Sequence, residues 1–192
     1  MDRHAAMCSI LDDDLMPSFA WNRIYARSLF DTIRFPEGRI YEDIATIYKL
    51  YNCSDNVLVL SDVFYNYLRR NGSICLRKGE EYSYKRSLDL YLAFSERYQF
   101  VVRHEEYQDM MNTCANVVVR IGFGLLHLIV RKKTPEVSMS YNTLRVSLID
   151  ASKHCLDRIS LLRRCELLVM RCCPKLYKIF MYQLLALKHI YK

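Results

Sequence analysis

The feature that most constrains the fold is the helical spacing of apolar residues along the second half of the chain. From Ser83 onward they recur three or four positions apart almost throughout. Only five glycines and four prolines occur among 192 residues, which favours long helices over tight turns. The pattern predicts helices over residues 84–104 and 107–132, one or two over residues 141–168, and a last helix from Pro174 to about residue 191.

The first half contains a turn followed by an acidic pair. In FPEGRIYED, residues 35–43, Pro36 restricts φ and Gly38 permits a positive φ, so the stretch begins as a turn. Apolar residues at positions 44, 47, 48 and 51 then repeat at helical spacing. Because the helix dipole favours acids in a first turn, Glu42 and Asp43 are predicted to begin a helix.

Two short segments on either side of Ser61-Asp62 have the character of strands. Residues 57–60 are aliphatic, and residues 63–68 alternate as in a paired strand, so the sequence predicts an antiparallel hairpin. Upstream, Ser18 and the apolar residues that follow it predict a helix through Phe30. The expected fold is therefore α+β and mostly α-helical, with a small antiparallel hairpin and a helical tail.

Taken in order, five segments resemble the C-terminal half of the family 2 glycosyltransferases, bacterial GT-A enzymes that build polysaccharides and cell-surface glycans. The segments are WNRIYARSLF (21–30), FPEGRIYED (35–43), VLVL (57–60), FYNY (64–67) and RRNGSI (69–74). The resemblance covers Pro17 to Ile74 well and the tail only loosely. It implies that residues 1–80 are the acceptor side of a GT-A catalytic domain, which contains the hairpin, and that residues 81–192 are a helical tail.

The resemblance also implies roles for the acidic pair and for the segment before it. Asp43 is expected to be the general base that takes a proton from an acceptor hydroxyl in an inverting transfer, and Glu42 to orient it or touch the acceptor. Trp21, Asn22 and Tyr25 are expected beside the acceptor. For Trp21 and Tyr25, packing in the core is an equally good interpretation, since large aromatic side chains are usually inside.

The resemblance places the basic loop that follows the hairpin near the diphosphate of the donor. Arg69 and Arg70 suit such a group because a guanidinium donates to two oxygens at once, and Ser73 belongs to the same expected binding set. A solvated turn is the alternative. For the complete enzyme Mg²⁺ or Mn²⁺ is expected, but we expect this chain alone to bind neither. The acidic run at residues 12–14 is predicted to be a solvated loop or helix end, because it follows no strand and lies too close to Asp43.

The expected function is transfer of a sugar from a nucleotide sugar to a glycan or lipid-linked acceptor in bacterial surface polysaccharide synthesis. We expect the chain to be inactive alone, because no nucleotide-binding half precedes Trp21. The alternative is a non-catalytic module, derived from a glycosyltransferase, that binds an acceptor or a partner.

Charge and cysteine spacing restrict the partners. Residues 81–192 hold eighteen of the 28 Lys and Arg but ten of the 21 Asp and Glu. Nucleic acid is not an expected partner, because no known binding module matches. The basic, amphipathic stretch at residues 163–192 predicts binding to an anionic membrane or, alternatively, a helix packed on its neighbours. Eight cysteines without C-x-x-C spacing predict no zinc site.

No signal-peptide pattern opens the chain, so a cytoplasmic location is expected, with peripheral attachment to the inner face of the cell membrane left open. Residues 110–130 have the length of a membrane span. Arg120 lies at the centre of this stretch, and a charge there is costly in a bilayer, so a buried or interfacial helix is predicted instead.

Overall fold

The computed structural model describes residues 1–13, 16–68, 79–132 and 140–190. Its α-helices in this part of the chain are α1 (Arg3–Asp12), α2 (Ile47–Asn52), α3 (Glu80–Arg103), α4 (Met111–Lys132), α5 (Tyr141–Ser152), α6 (Leu161–Cys172) and α7 (Pro174–Ile190). Shorter 3₁₀ helices lie at Ala20–Asn22, Arg27–Phe30, Glu105–Met110 and Leu156–Arg158. The prediction of a mostly helical protein is confirmed, and the stretch at 141–168 contains two helices.

The predicted antiparallel hairpin is wrong. Within the described ranges the chain forms no β-strand, and the backbone pairing that remains is an isolated bridge between Asp2 and Asn56. Residues 57–68 run as an irregular segment with Leu58, Val63 and Phe64 at least three-quarters exposed. Two-residue hairpin turns need glycine or asparagine to reach positive φ, which Ser61-Asp62 does not supply, and a two-stranded hairpin without further support is only marginally stable.

The helix predicted from Ser18 to Phe30 is also wrong. This stretch contains two 3₁₀ helices separated by irregular backbone at residues 23–26, which is extended at Arg23 and Ala26. The Arg23 guanidinium donates to the carbonyl oxygens of Pro17 and Phe19 and to the Tyr51 hydroxyl, the last at 2.9 Å. These side-chain hydrogen bonds hold the segment as a loop, and this loop is incompatible with a continuous helix.

The chain divides into two compact units, Met1–Cys114 and Ala115–Lys192. In the first unit, α1 packs on α2, and the 3₁₀ helix Glu105–Met110 contacts both α1 and α3. In the second unit, α6 packs against α5 and α7. The boundary predicted at residue 80 separates the part that resembles a glycosyltransferase domain from the helical tail, and it stays a prediction.

The stretch Glu105–Val130, which joins a 3₁₀ helix to α4, is long and apolar enough to cross a membrane by length and composition. The mean hydropathy of its most apolar 18-residue window is 1.8, and 56% of that window is buried inside the protein. A core helix of a soluble protein passes the same test, so this stretch by itself does not establish where the protein lies in the cell.

Candidate functional site

A groove of about 760 Å³ opens on the first unit, and it brings together the three residues predicted to bind an acceptor. Trp21, Asn22 and Tyr25 line one part of it, and residues 56–60 and 62–65 line another. Tyr51 of α2 contributes to its wall. Ligand sites in proteins are usually concave, mostly apolar and equipped with a few polar groups, which describes this groove.

Four aromatic rings meet beside the groove. Trp21 stacks on Phe19 and Tyr67 at centroid distances of 5.1 and 5.0 Å, and the Tyr65 ring lies tilted against it at 4.8 Å. All four rings are exposed, with Trp21 at 39% and Tyr65 at 50%. Trp21 is therefore not part of the core. We call Phe19, Trp21, Tyr65 and Tyr67 the aromatic cluster. Exposed patches of this kind are common at ligand and partner contact sites in proteins.

Asp43 lies in the turn that leads into α2. Its backbone carbonyl accepts hydrogen bonds from the amides of Thr46 and Ile47, at 3.0 and 2.9 Å, and its carboxylate accepts one from the Ile44 amide at 2.8 Å. Glu42 and Asp43 were predicted to begin a helix. The structure places them in the turn just before it, and the regular helix begins at Ile47. Gly38 takes the expected positive φ of 71°.

The backbone beside the acidic pair is strained. Tyr41 has a φ of 62°, a left-handed conformation that costs a residue with a Cβ about 1–2 kcal/mol. Its hydroxyl accepts a hydrogen bond from Arg86 Nε at 2.6 Å, and the guanidinium lies 5.8 Å from the ring centroid. Strain of this type concentrates at functional sites, where neighbouring contacts hold it in place.

Burial raises the pKa of the Asp43 carboxyl above its ordinary value, and the charges of Glu42 and Asp13 raise it further. The Ile44 amide and Arg97 oppose this change. Asp43 does not line the groove, but it lies close enough to Tyr25 to contribute to a pKa of about 12 for that phenol, which burial raises most. A carboxylate with a raised pKa is a better proton acceptor, as a general base requires. Glu42 is exposed.

Arg97 of α3 supports this turn from inside the protein, and the sequence analysis did not identify it. Its side chain is 1% exposed and donates to the carbonyl oxygens of Ile44 at 2.9 Å and Ile10 at 3.0 Å. It also pairs with Asp13 at 3.2 Å and donates to the Ser18 hydroxyl. Asp13 is thus a helix end, as predicted, but a partnered group rather than a solvated one.

A second cluster, formed by His4, Cys8 and Asp109, was also not predicted from the sequence. His4 and Cys8 lie one turn apart on α1, and Asp109 of the 3₁₀ helix Glu105–Met110 completes a group whose candidate ligand atoms lie within 4.8 Å of one another. The spacing H-x₃-C was visible in the sequence, but the partner 101 residues away was not. Arg69, Arg70 and Ser73 lie outside the described residues, so their predicted roles stay predictions.

Comparison with known proteins gives one distant similarity. Over 60 residues the chain is 32% identical to the glycosyltransferase GlyG of Streptococcus pneumoniae serotype 4. This stretch is related to a glycosyltransferase. The match covers 31% of this chain and 19% of GlyG, so the chain spans about a fifth of the length of that relative. No family model and no solved structure matches the chain.

Proposed function

We propose that the first unit provides the acceptor-binding and proton-accepting part of a nucleotide-sugar glycosyltransferase of the family 2, GT-A type. The observation that carries the proposal is the aromatic cluster at the rim of the groove, with Trp21, Asn22 and Tyr25 on its wall. The apolar faces of sugar rings pack on exposed aromatic rings, and the amide and phenol beside Trp21 offer hydrogen bonds to hydroxyls. The distant similarity to a glycosyltransferase agrees with this interpretation.

In the proposed reaction, Asp43 accepts the proton of an acceptor hydroxyl. The oxygen then forms a bond to the anomeric carbon of the donor sugar, while the bond from that carbon to the phosphate oxygen breaks and the nucleoside diphosphate leaves. The raised pKa of Asp43 keeps its affinity for the proton high. Arg69 and Arg70 are proposed to contact the departing diphosphate, and Ser73 to belong to the same loop.

Mg²⁺ or Mn²⁺ serves the complete enzyme in this proposal, and the described residues do not form a site for it beside the acidic pair. The cluster of three candidate ligands found in the described ranges contains a thiol and an imidazole and includes neither Glu42 nor Asp43. Both metals prefer oxygen ligands. In the complete enzyme the cation would offset the charge of the departing diphosphate, and Asp43, Arg69 and Arg70 keep the roles proposed above.

The test is saccharide binding to the whole chain. Trp21 is the one tryptophan in the sequence, so its fluorescence reports directly on the cluster. We expect glucose-, galactose- and N-acetylglucosamine-containing oligosaccharides to change this fluorescence at millimolar concentration. Tyr65→Ala is expected to weaken binding about fivefold or more, because a lost aromatic contact costs about 1 kcal/mol. Phe180→Ala, which removes an equally exposed ring from α7, is the matched control. Unchanged fluorescence across the panel would contradict the proposal.

Transfer assays with nucleotide sugars, run on this chain joined to the nucleotide-binding half of a GT-A enzyme, separate an enzyme from a binding module. Turnover that falls by about 10²–10⁴-fold in Asp43→Asn and much less in Glu42→Gln supports the assignment of the base. Saccharide binding without turnover favours the second candidate, a non-catalytic module, which the same exposed aromatic cluster also supports. Near-normal turnover by Asp43→Asn would show that Asp43 is not the base.

A further inference from the structure

The His4–Cys8–Asp109 cluster lies outside the groove, and the proposed sugar chemistry does not use it. His4 and Cys8 project from the same side of α1 because residues four apart share a face of a helix. Asp109 comes from the 3₁₀ helix Glu105–Met110, which packs on α1. An imidazole, a thiol and a carboxylate from two packed elements thus converge on one point.

The distances within the cluster fit a tetrahedral metal. With bonds of about 2.3 Å to sulfur and 2.0–2.2 Å to nitrogen and oxygen, ligand atoms around tetrahedral zinc lie about 3.4–3.6 Å apart. Cys8 Sγ lies 3.6 Å from His4 Nδ1 and 3.5 Å from Asp109 Oδ2. With one ligand atom taken from each residue, all three atoms lie within 4.8 Å of one another. Only small side-chain adjustments are needed to place a cation between them.

The surroundings of His4 also resemble those of a metal ligand. Its Nε2 lies 3.0 Å from the carbonyl oxygen of Glu106, so in the neutral ring the Nε2–H donates to that oxygen and Nδ1 keeps a lone pair facing Cys8. Metal-binding histidines commonly donate their other ring N–H to a backbone carbonyl in this way. His4 and Asp109 are about half exposed, which leaves room for water at a fourth position.

Cys8 and Asp109 already face one another, because the Cys8 thiol donates a hydrogen bond to Asp109 Oδ2 at 3.5 Å. A divalent cation between the two groups would replace the thiol proton and stabilise the thiolate and the carboxylate together.

We propose that His4, Cys8 and Asp109 bind Zn²⁺, with water as the fourth ligand, and that the ion links α1 to the 3₁₀ helix Glu105–Met110. The ligand types favour zinc over magnesium or calcium, since both of those metals prefer oxygen. The site does not depend on the proposed glycosyltransferase function.

The experiment titrates the reduced, metal-free chain with Co²⁺ as a spectroscopic substitute and with Zn²⁺ by calorimetry. We expect one tight equivalent, with a thiolate-to-cobalt absorption band and tetrahedral visible bands. Cys8→Ser is expected to abolish the thiolate band, and His4→Ala and Asp109→Asn to lower Zn²⁺ affinity by about 100-fold or more, beyond the cost of losing an outer-shell partner.

Two controls make the result specific to this cluster. Cys53→Ser removes an exposed thiol from the same unit, and Cys172→Ser removes one from α6. Both should keep the tight equivalent. Circular dichroism of each variant confirms that it is folded. Absence of tight Zn²⁺ binding to the wild-type chain, or binding that persists in Cys8→Ser and disappears in Cys172→Ser, would overturn the proposal.

Discussion

Replacing Arg97 with alanine is expected to destabilise the first unit more than any exposed substitution in it. The guanidinium is 1% exposed and is bound to the carbonyl oxygens of Ile10 and Ile44, to the Asp13 carboxylate and to the Ser18 hydroxyl. Removing it leaves two backbone oxygens without this donor, at about 1–3 kcal/mol each. It also leaves Asp13 without its cation, but that side chain is 25% exposed, so water replaces part of the loss.

Breaking a buried ion pair by removing one partner costs about 3–5 kcal/mol, which agrees with the sum over the two carbonyl groups. We therefore expect a loss of about 3–5 kcal/mol, a large part of the roughly 5–15 kcal/mol that holds a domain folded. Burial lowers the pKa of Arg97, which shows that the native state already carries a desolvation cost that these bonds offset.

Urea unfolding followed by Trp21 fluorescence measures this loss, because the tryptophan lies in the same unit. Arg103→Ala, at the exposed end of the same helix, is the control and should change the free energy of unfolding by about 0.5 kcal/mol or less. A loss below about 1 kcal/mol in Arg97→Ala would show that the observed hydrogen bonds contribute little beyond what water provides.

Two further predictions concern Asp43 and the last helix. The folded state holds the Asp43 proton more tightly than the unfolded state, so its raised pKa reduces stability at neutral pH and this cost disappears as pH falls through the raised pKa towards 3.8. Asp43→Asn should thus stabilise the first unit at pH 7, with a gain that vanishes near pH 4, whereas Glu42→Gln should not; a destabilised Asp43→Asn would refute this. On α7 the exposed Phe180 follows the exposed Lys175 and Lys178 in the sequence, and we expect co-sedimentation with anionic vesicles that weakens by about 1 kcal/mol for each lysine replaced by glutamine. Equal binding to neutral and anionic vesicles, or none to either, would exclude a peripheral membrane role.

The helical tail was predictable because helix formation there depends on residues that are close in the sequence. Apolar residues at helical spacing predicted a helical stretch at 141–168, which the structure divides into α5 and α6, and Pro174 marked the start of α7. The turn at Gly38 is equally local, since its positive φ suits a residue without a Cβ. In these parts the short-range preferences and the final structure agree.

The segments at 18–30 and 57–68 were not predictable in the same way. Their patterns suit a helix and a hairpin, but a hairpin needs further strands or a packed face, and the described residues provide neither. Instead Arg23 holds the first segment through nearby backbone carbonyls, and Tyr65 and Tyr67 of the second segment contact the Trp21 ring. Side-chain contacts, both within the first segment and between the two segments, therefore decided the structure at the rim of the groove.

By itself the sequence determined the helical character of the protein, the turn before α2 and the acidic pair within it, because each depends on neighbours within a few residues. Only the tertiary structure decided that Arg97 is a buried support and that His4 and Cys8 meet Asp109. Those contacts join residues 84 and 101 positions apart. No pattern within one helix reveals such a partner, because its position depends on how separate elements pack.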